Sequence, residues 1–496
     1  MSTRRGAMVA IAQATGLLPI PRVALAGRGG WPGTTTTTTN NVSTTDSLYV
    51  APPGGVGDQI AIYGNYFLTN GGRSSTGLAA FTASGATRVN GVVTRWKWGA
   101  TPDAAMNGAD SIVVNPGDDV WVYIPAINAA AGALVHERVT EVGAAGNLPR
   151  LTNVGTRRTR YEGAVRTAVT DLVASQQAWT DGNDCVIVAP ARDPATGFIT
   201  LPGSGTAAAV ASTGTGWVAP ASSLLLVDPV DGTIATVGNT NSARTTATMN
   251  AGAGSTRYWN PGSYFIAVPA VGSDSSGHAL HARFGVKRPG AGLSRGFVTD
   301  SVGRAFAAGD NFGDAKGNYG ILERAFDSNG GFTSMGVIGN TATAHRTWFP
   351  TSNLRSIIQT ANVLFDEVYL LLLNNDIAGG VSTLAGLKAA MAEIAAYWQS
   401  RGARVILCTI PPRSSTTDGQ TPLTPGFVSG GLRDVCNAEI RGNTMVPNQR
   451  GYMEIATPLE DPADHSKYKV GFTTDGIHPN DAAIQYALTQ QMFYPS

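Results

Sequence analysis

The run Thr474-Asp475-Gly476-Ile477-His478-Pro479-Asn480 places a carboxylate three residues ahead of an imidazole, a spacing suited to general-base chemistry. A carboxylate that accepts the Nδ1 proton of a histidine fixes the tautomer and orientation in which Nε2 can take a proton from a nucleophile. The third member has to come from elsewhere. Upstream, Phe297-Val298-Thr299-Asp300-Ser301-Val302-Gly303 offers a serine just after an apolar stretch, on an expected strand-to-loop turn. Singly these signals are weak, because Asp-Ser pairs are common and a lone Asp475 or His478 reads first as a capping or surface residue.

The elements around these residues raise the odds. After the Gly-rich and Arg-containing segment 288–296, strand candidates alternate with helices: Gly296–Thr299, Phe332–Val337, Val368–Leu373, Arg404–Ile410 and Tyr452–Ala456. Leu384, Leu387, Met391, Ile394 and Trp398 recur at helical spacing and predict one apolar helix face; a last helix is expected over about Asp481 to Met492. Such alternation predicts a three-layer α/β unit with a parallel sheet of about five strands, binding ligands beyond the strands' carboxyl ends. Asp300-Ser301, Gly336-Val337-Ile338-Gly339-Asn340-Thr341, Asn374-Asn375-Asp376 and Asp475 to His478 all fall at such ends.

The forepart reads differently. Residues 1–45 include a Gly-rich stretch and an unbroken threonine run from Thr34 to Thr39, too poor in apolar surface to fold alone, and are expected to form a flexible or attachment arm. Short strands with Pro-Gly and Asp-Gly turns then predict β-sandwich or jelly-roll-like modules over 46–150 and 151–287, the second with a helix at about Tyr161 to Trp179. Residues 288–296 would link these to a unit spanning 297–496.

Composition excludes several classes. Charged residues are 14% of the 496 and the formal net charge is +1, which leaves no electrostatic footprint for nucleic acid. The densest basic cluster, Arg157-Arg158-Thr159-Arg160, reads as a solvated loop or helix start. Cys185, Cys408 and Cys436 are too scattered for a disulfide framework or zinc site and read as small buried apolar groups. His136, His278, His281, His345 and His465 lack ligand-like company, so no metal or cofactor is expected. No run approaches the ~18 apolar residues of a membrane span. The N-terminus has the outline of an export signal, but Pro19, Pro21 and Arg22 interrupt its apolar region. Release on a phage particle is the expected route outside a cell.

In number, order and spacing these motifs resemble the SGNH hydrolases, or GDSL-type esterases, over about 200 residues from 293 onward. That family's blocks read Gly-Asp-Ser, an oxyanion glycine, Gly-x-Asn-Asp and Asp-x-x-His-Pro. The resemblance implies that Ser301 is the nucleophile, His478 the general base and Asp475 its orienting carboxylate. It further implies an oxyanion hole built from the backbone N–H groups of Ser301 and Gly339 and the side-chain amide of Asn375. Thr299 and Leu373 stand where the family has glycines, which predicts altered pocket geometry. Asp300 and Asp376 read as structural groups, and Gly309-Asp310-Asn311 lacks the hydroxyl needed to compete for the role.

The implied activity is ester hydrolysis, with acylated carbohydrate as the substrate class. A β-rich forepart with such a domain is similar to phage tail-fibre or spike proteins, which implies an extracellular, virion-associated protein, virion partners bound through the N-terminal segment, and a homo-oligomer. The alternatives are a secreted carbohydrate esterase and an inactive virion protein that binds glycan through the hydrolase-like domain. A chain beginning near residue 290 is expected to fold and hydrolyse small esters unaided.

Overall fold

In the computed structural model the described residues are mainly 57–143 and 293–494, with breaks at 305–319, 327–330 and 415–422 among shorter ones; strand segments are also described between 22 and 50 and between 147 and 286. The C-terminal unit is built on strands β1 (Arg295–Thr299), β2 (Phe332–Ser334), β3 (Glu367–Leu371), β4 (Arg404–Cys408), β5 (Tyr452–Met453) and β6 (Phe493–Tyr494). Their order is β2-β1-β3-β4-β5-β6; the first five run parallel, and β6 adds an antiparallel edge. The last helix ends at Leu488, short of the expected Met492, because the chain turns to pair Phe493 with Met453.

Strand periodicity sorts the core into two layers. Val298, Val368, Leu370, Val405 and Leu407 face one side, packed with Leu354, Ile357 and Ile358 of helix Asn353–Thr360 and with Leu387, Met391, Ile394 and Trp398 of helix Leu384–Ser400. Phe297, Tyr369, Leu371, Ile406 and Cys408 face the other, against Ile321 and Leu322 and against Ala483, Ile484 and Ala487 of the last helix. Alternate residues of one strand feed opposite layers because successive side chains point to opposite faces. Cys408 and Cys436 are buried free thiols, and Cys185 lies in strand Cys185–Ile187.

Upstream, a five-stranded antiparallel sheet combines Arg22–Ala24, Ala282–Val286, Gln59–Gly64, Asp119–Ile124 and Lys97–Gly99, in that order. It draws strands from both sides of the boundaries expected at 45 and 150. Ala61, Tyr63, Val120, Val122 and Ile124 share a core with Phe81, Ala83 and Val139 of a second antiparallel sheet, which is the sandwich arrangement. Ile60, Ile62, Trp121 and Phe284 join the core of the α/β unit instead. This sheet is therefore apolar on both faces and is shared by two cores. A further six-stranded antiparallel sheet takes its strands from 185 to 269.

The helix expected from Tyr161 is corrected at its start. Arg158–Glu162 is a strand paired with Val42–Val50 at the end of its sheet, and 163–179 lie outside the described residues. Arg158 and Arg160 thus sit on a strand rather than in a loop or helix start. No helix among the described residues is long and apolar enough to cross a membrane.

Candidate active site

The order β2-β1-β3 reverses direction between β1 and β3, and side chains gather beyond the carboxyl ends of these two strands, the usual crevice of an open parallel sheet. Ser301 opens the short helix Ser301–Arg304 directly after β1. Asp300 makes the turn: its Oδ1 accepts from the backbone N–H of Val302 at 2.8 Å and of Gly303 at 3.4 Å. This is how a short carboxylate starts a helix. Burial pushes the Asp300 carboxyl up to about 7, against the pull of those two N–H groups and the charge of Arg413.

Asp475 and His478 occupy a turn in which Gly476 has φ +75°, a left-handed conformation that favours glycine. Asp475 Oδ1 accepts from the backbone N–H groups of Ile477 and His478 at 2.8 Å each, and its Oδ2 lies 2.6 Å from His478 Nδ1. Burial opposes the charge, but the hydrogen bonds from the His478 ring and from the two backbone groups override it and hold the carboxyl at about 2. The turn is pinned from outside by the Tyr468 hydroxyl, which donates to the Ile477 carbonyl at 2.9 Å, and by the Ser414 N–H, which donates to the Gly476 carbonyl at 2.6 Å. Across the crevice, His478 Nε2 is 3.0 Å from Ser301 Oγ. The structure therefore joins Ser301, His478 and Asp475 in one hydrogen-bonded row.

Asn375 lies in the short helix Asn374–Ala378 after β3. Its Nδ2 donates to the Asn340 carbonyl at 3.1 Å and to Asp300 Oδ2 at 3.3 Å, so one amide touches the chain neighbours of both Gly339 and Ser301. Gly339 has φ +68°, which explains glycine there. Asp376 ties this helix to the next strand end, accepting from the Ala342 N–H at 2.7 Å and from the Thr343 hydroxyl at 2.8 Å.

Thr299 and Leu373, where the sequence resemblance implied altered pocket geometry, are accommodated locally. Leu373 has φ −52° and ψ −10°, open to any residue, and its side chain is buried in the core. Thr299 is also buried, and a Cβ placed on Gly303 would lie 2.5 Å from the Thr299 Cβ. The room surrendered at Gly303 is taken up by Thr299.

Two supporting groups carry little sequence signal. Arg413 follows β4, and its Nη1 donates to Asn374 Oδ1 at 2.9 Å and to Asn375 Oδ1 at 3.0 Å. His345 is buried, and that burial holds its ring down at about 3. The neutral ring accepts at Nδ1 from Asn340 Nδ2 at 3.1 Å, while Asn340 Oδ1 takes the Trp348 indole N–H at 3.3 Å. His136 lies on a strand, His465 is exposed, and His278 and His281 lie outside the described residues. Among the described residues no cluster of three or more His, Cys, Asp and Glu could hold a metal ion.

No protein-family model and no curated protein matches the chain. Among solved structures it is similar to a GDSL-like lipase from Bacteroides thetaiotaomicron, at 16% identity over 40% of this chain and 85% of that one, with TM-score 0.28. It is similar also to an acetylxylan esterase from Geobacillus stearothermophilus, at 17% identity over 40% and 92%, with TM-score 0.28. A lipase/acylhydrolase from Enterococcus faecalis shows 16% identity over 39% and 92%, with TM-score 0.27. Likeness of this degree leaves the activity to be argued from the side chains themselves.

Proposed function

We propose that this protein is a serine ester hydrolase that works through a covalent acyl-enzyme. The observation that carries this reading is the row in which Ser301 Oγ lies 3.0 Å from His478 Nε2 and His478 Nδ1 lies 2.6 Å from the Asp475 carboxylate. Ser301 Oγ attacks the ester carbonyl carbon while His478 Nε2 takes its proton. The negative charge that develops on the carbonyl oxygen is met by the backbone N–H groups of Ser301 and Gly339 and by Asn375 Nδ2. Donors fixed in advance where charge develops are commonly the largest catalytic term. As the tetrahedral adduct collapses, His478 passes the proton to the departing alcohol. Water, deprotonated by the same ring, then releases the acid and restores Ser301. Asp475 remains ionised throughout and stabilises the imidazolium.

The substrate class in this reading is a complex carbohydrate bearing small acyl groups, acetyl above all, presented on a bacterial surface and attacked from a virion. The motif resemblance and the β-rich forepart support it. Acetate release from an acetylated surface polysaccharide, compared with hydrolysis of long-chain esters, tests the substrate; detection of the chain in purified particles tests the setting. The central test is Ser301→Ala on an activated acetyl ester. The rate should fall by about 10³-fold or more, and a serine-directed fluorophosphonate should label the peptide containing Ser301. Equal rates for the two proteins would show that Ser301 carries no hydrolysis and would overturn this reading in favour of glycan binding.

A further inference from the structure

We propose that Arg413 is a positioning residue for the oxyanion-stabilising amide, turning Asn375 so that Nδ2 faces the reacting carbonyl. The inference rests on the ester-hydrolase reading and deepens it. The two ends of an asparagine amide are nearly the same size, so shape alone does not select its orientation; its hydrogen-bond partners do. A guanidinium carries donors only. Arg413 Nη1 lies 3.0 Å from Asn375 Oδ1 and 2.9 Å from Asn374 Oδ1. On its other side, Asn375 meets two acceptors, the Asn340 carbonyl at 3.1 Å and Asp300 Oδ2 at 3.3 Å. Turning the amide over would set its NH2 against the guanidinium and its oxygen against both acceptors. Only the observed orientation offers an N–H to a developing oxyanion, and the longer contact, to Asp300, is the one that the oxyanion would replace.

The placement of Arg413 supports the same role. It is only partly exposed, and its Nη1 is committed to two neutral amides. It follows Pro411 and Pro412, which restrict the backbone that carries it. The next residue, Ser414, donates its N–H to the Gly476 carbonyl inside the Asp475 to His478 turn. The segment 411–414 therefore spans from the amide after β3 to the turn that carries the base.

The test is a cycle of Arg413→Ala, Asn375→Ala and the double variant, with kcat and KM measured on an activated acetyl ester. Arg413→Ala should lower kcat by roughly tenfold to a hundredfold, by analogy with the loss of outer groups that orient metal ligands, and leave KM nearly unchanged. In the Asn375→Ala background the same substitution should change kcat by no more than about twofold, because an absent amide has no orientation to lose. If the two losses multiply, or if Arg413→Ala matches wild type, the role is refuted. Should Arg413→Ala fail to fold, Arg413→Lys carries the cycle: it keeps the charge, should retain more activity than an uncharged residue, and should likewise act only where Asn375 is present. Multiplying losses for Arg413→Lys would overturn the proposal equally. A merely structural arginine would lower Tm without this dependence on Asn375. Wild-type activity in Ser301→Ala sinks the hydrolase reading itself, whereas an inert Ser301→Ala beside a fully active Arg413→Ala sinks only the positioning role.

Discussion

Asp475 is held in its charged state by contacts that exist only in the folded chain, and this has a measurable sign. Its folded value of about 2 lies below the ~3.9 of an unfolded aspartate. The unfolded chain therefore binds the proton first as pH falls, so the stabilisation is present above about pH 4 and is lost as pH falls toward about 2. Asp475→Asn lacks it at every pH. Its unfolding free energy should sit below that of wild type at neutral pH and converge on it in acid, as followed by urea melts across that window. The same substitution should lower kcat by about 10⁴-fold, since an amide facing Nδ1 favours the wrong tautomer. A variant with full activity would mean that the carboxylate does not orient the ring.

At the level of elements, the critical feature is the elbow from β1 into the helix of Ser301. Thr299 and Gly303 divide one small space between them, so bulk added at 303 has nowhere to go: its Cβ would meet the Thr299 Cβ at 2.5 Å. Gly303→Ala should cost about 1–3 kcal/mol, the usual range for overpacking, and should slow turnover by displacing Ser301 from His478. Adding Thr299→Gly, which frees the space that the Thr299 side chain fills, should recover part of both losses. Urea midpoints and rates for the three variants check this; a pair of independent, additive losses would show that the space is not shared. The neighbouring element is held differently. Asp376 binds the start of helix Ala342–Trp348, so the strand ends after β2 and β3 move as one piece.

At the scale of the whole molecule, the upstream sheet has a structural role in the α/β unit. Ile60, Ile62, Trp121 and Phe284 complete an apolar layer that also contains Val298, Leu370 and Leu407. The strand Ala282–Val286 lies beside β2, the end strand of the parallel sheet. Burial of each large apolar side chain is worth about 1.5–3 kcal/mol, and removing the sheet uncovers the partners of all four. A fragment covering 293–494 should therefore melt well below the full chain, bind a hydrophobic dye and aggregate, although its triad residues are all present. A fragment with the Tm and turnover of the full chain would show that the shared layer is dispensable. This departs from the self-contained unit that the alternation of strands and helices suggests.

The sequence by itself determined what depends on short-range pattern and residue type. Strand and helix alternation set the parallel sheet, the stripe from Leu387 to Trp398 set a core helix, and the strand-end rule led to the segments that hold Ser301, Asn374 to Asp376, and Asp475 to His478. Side-chain periodicity and turn chemistry are local, so they are legible in a single chain. Tertiary structure alone decided what depends on contacts between distant segments. It set Ser301 Oγ 3.0 Å from His478 Nε2, 177 residues away. It also gave Arg413 two amides to hold and placed a strand from residue 282 in the sheet that contains residue 59. Strand Gln59–Gly64 is buried along its whole length, but alternation cannot tell which core each face will join. That is settled only when both layers pack against it.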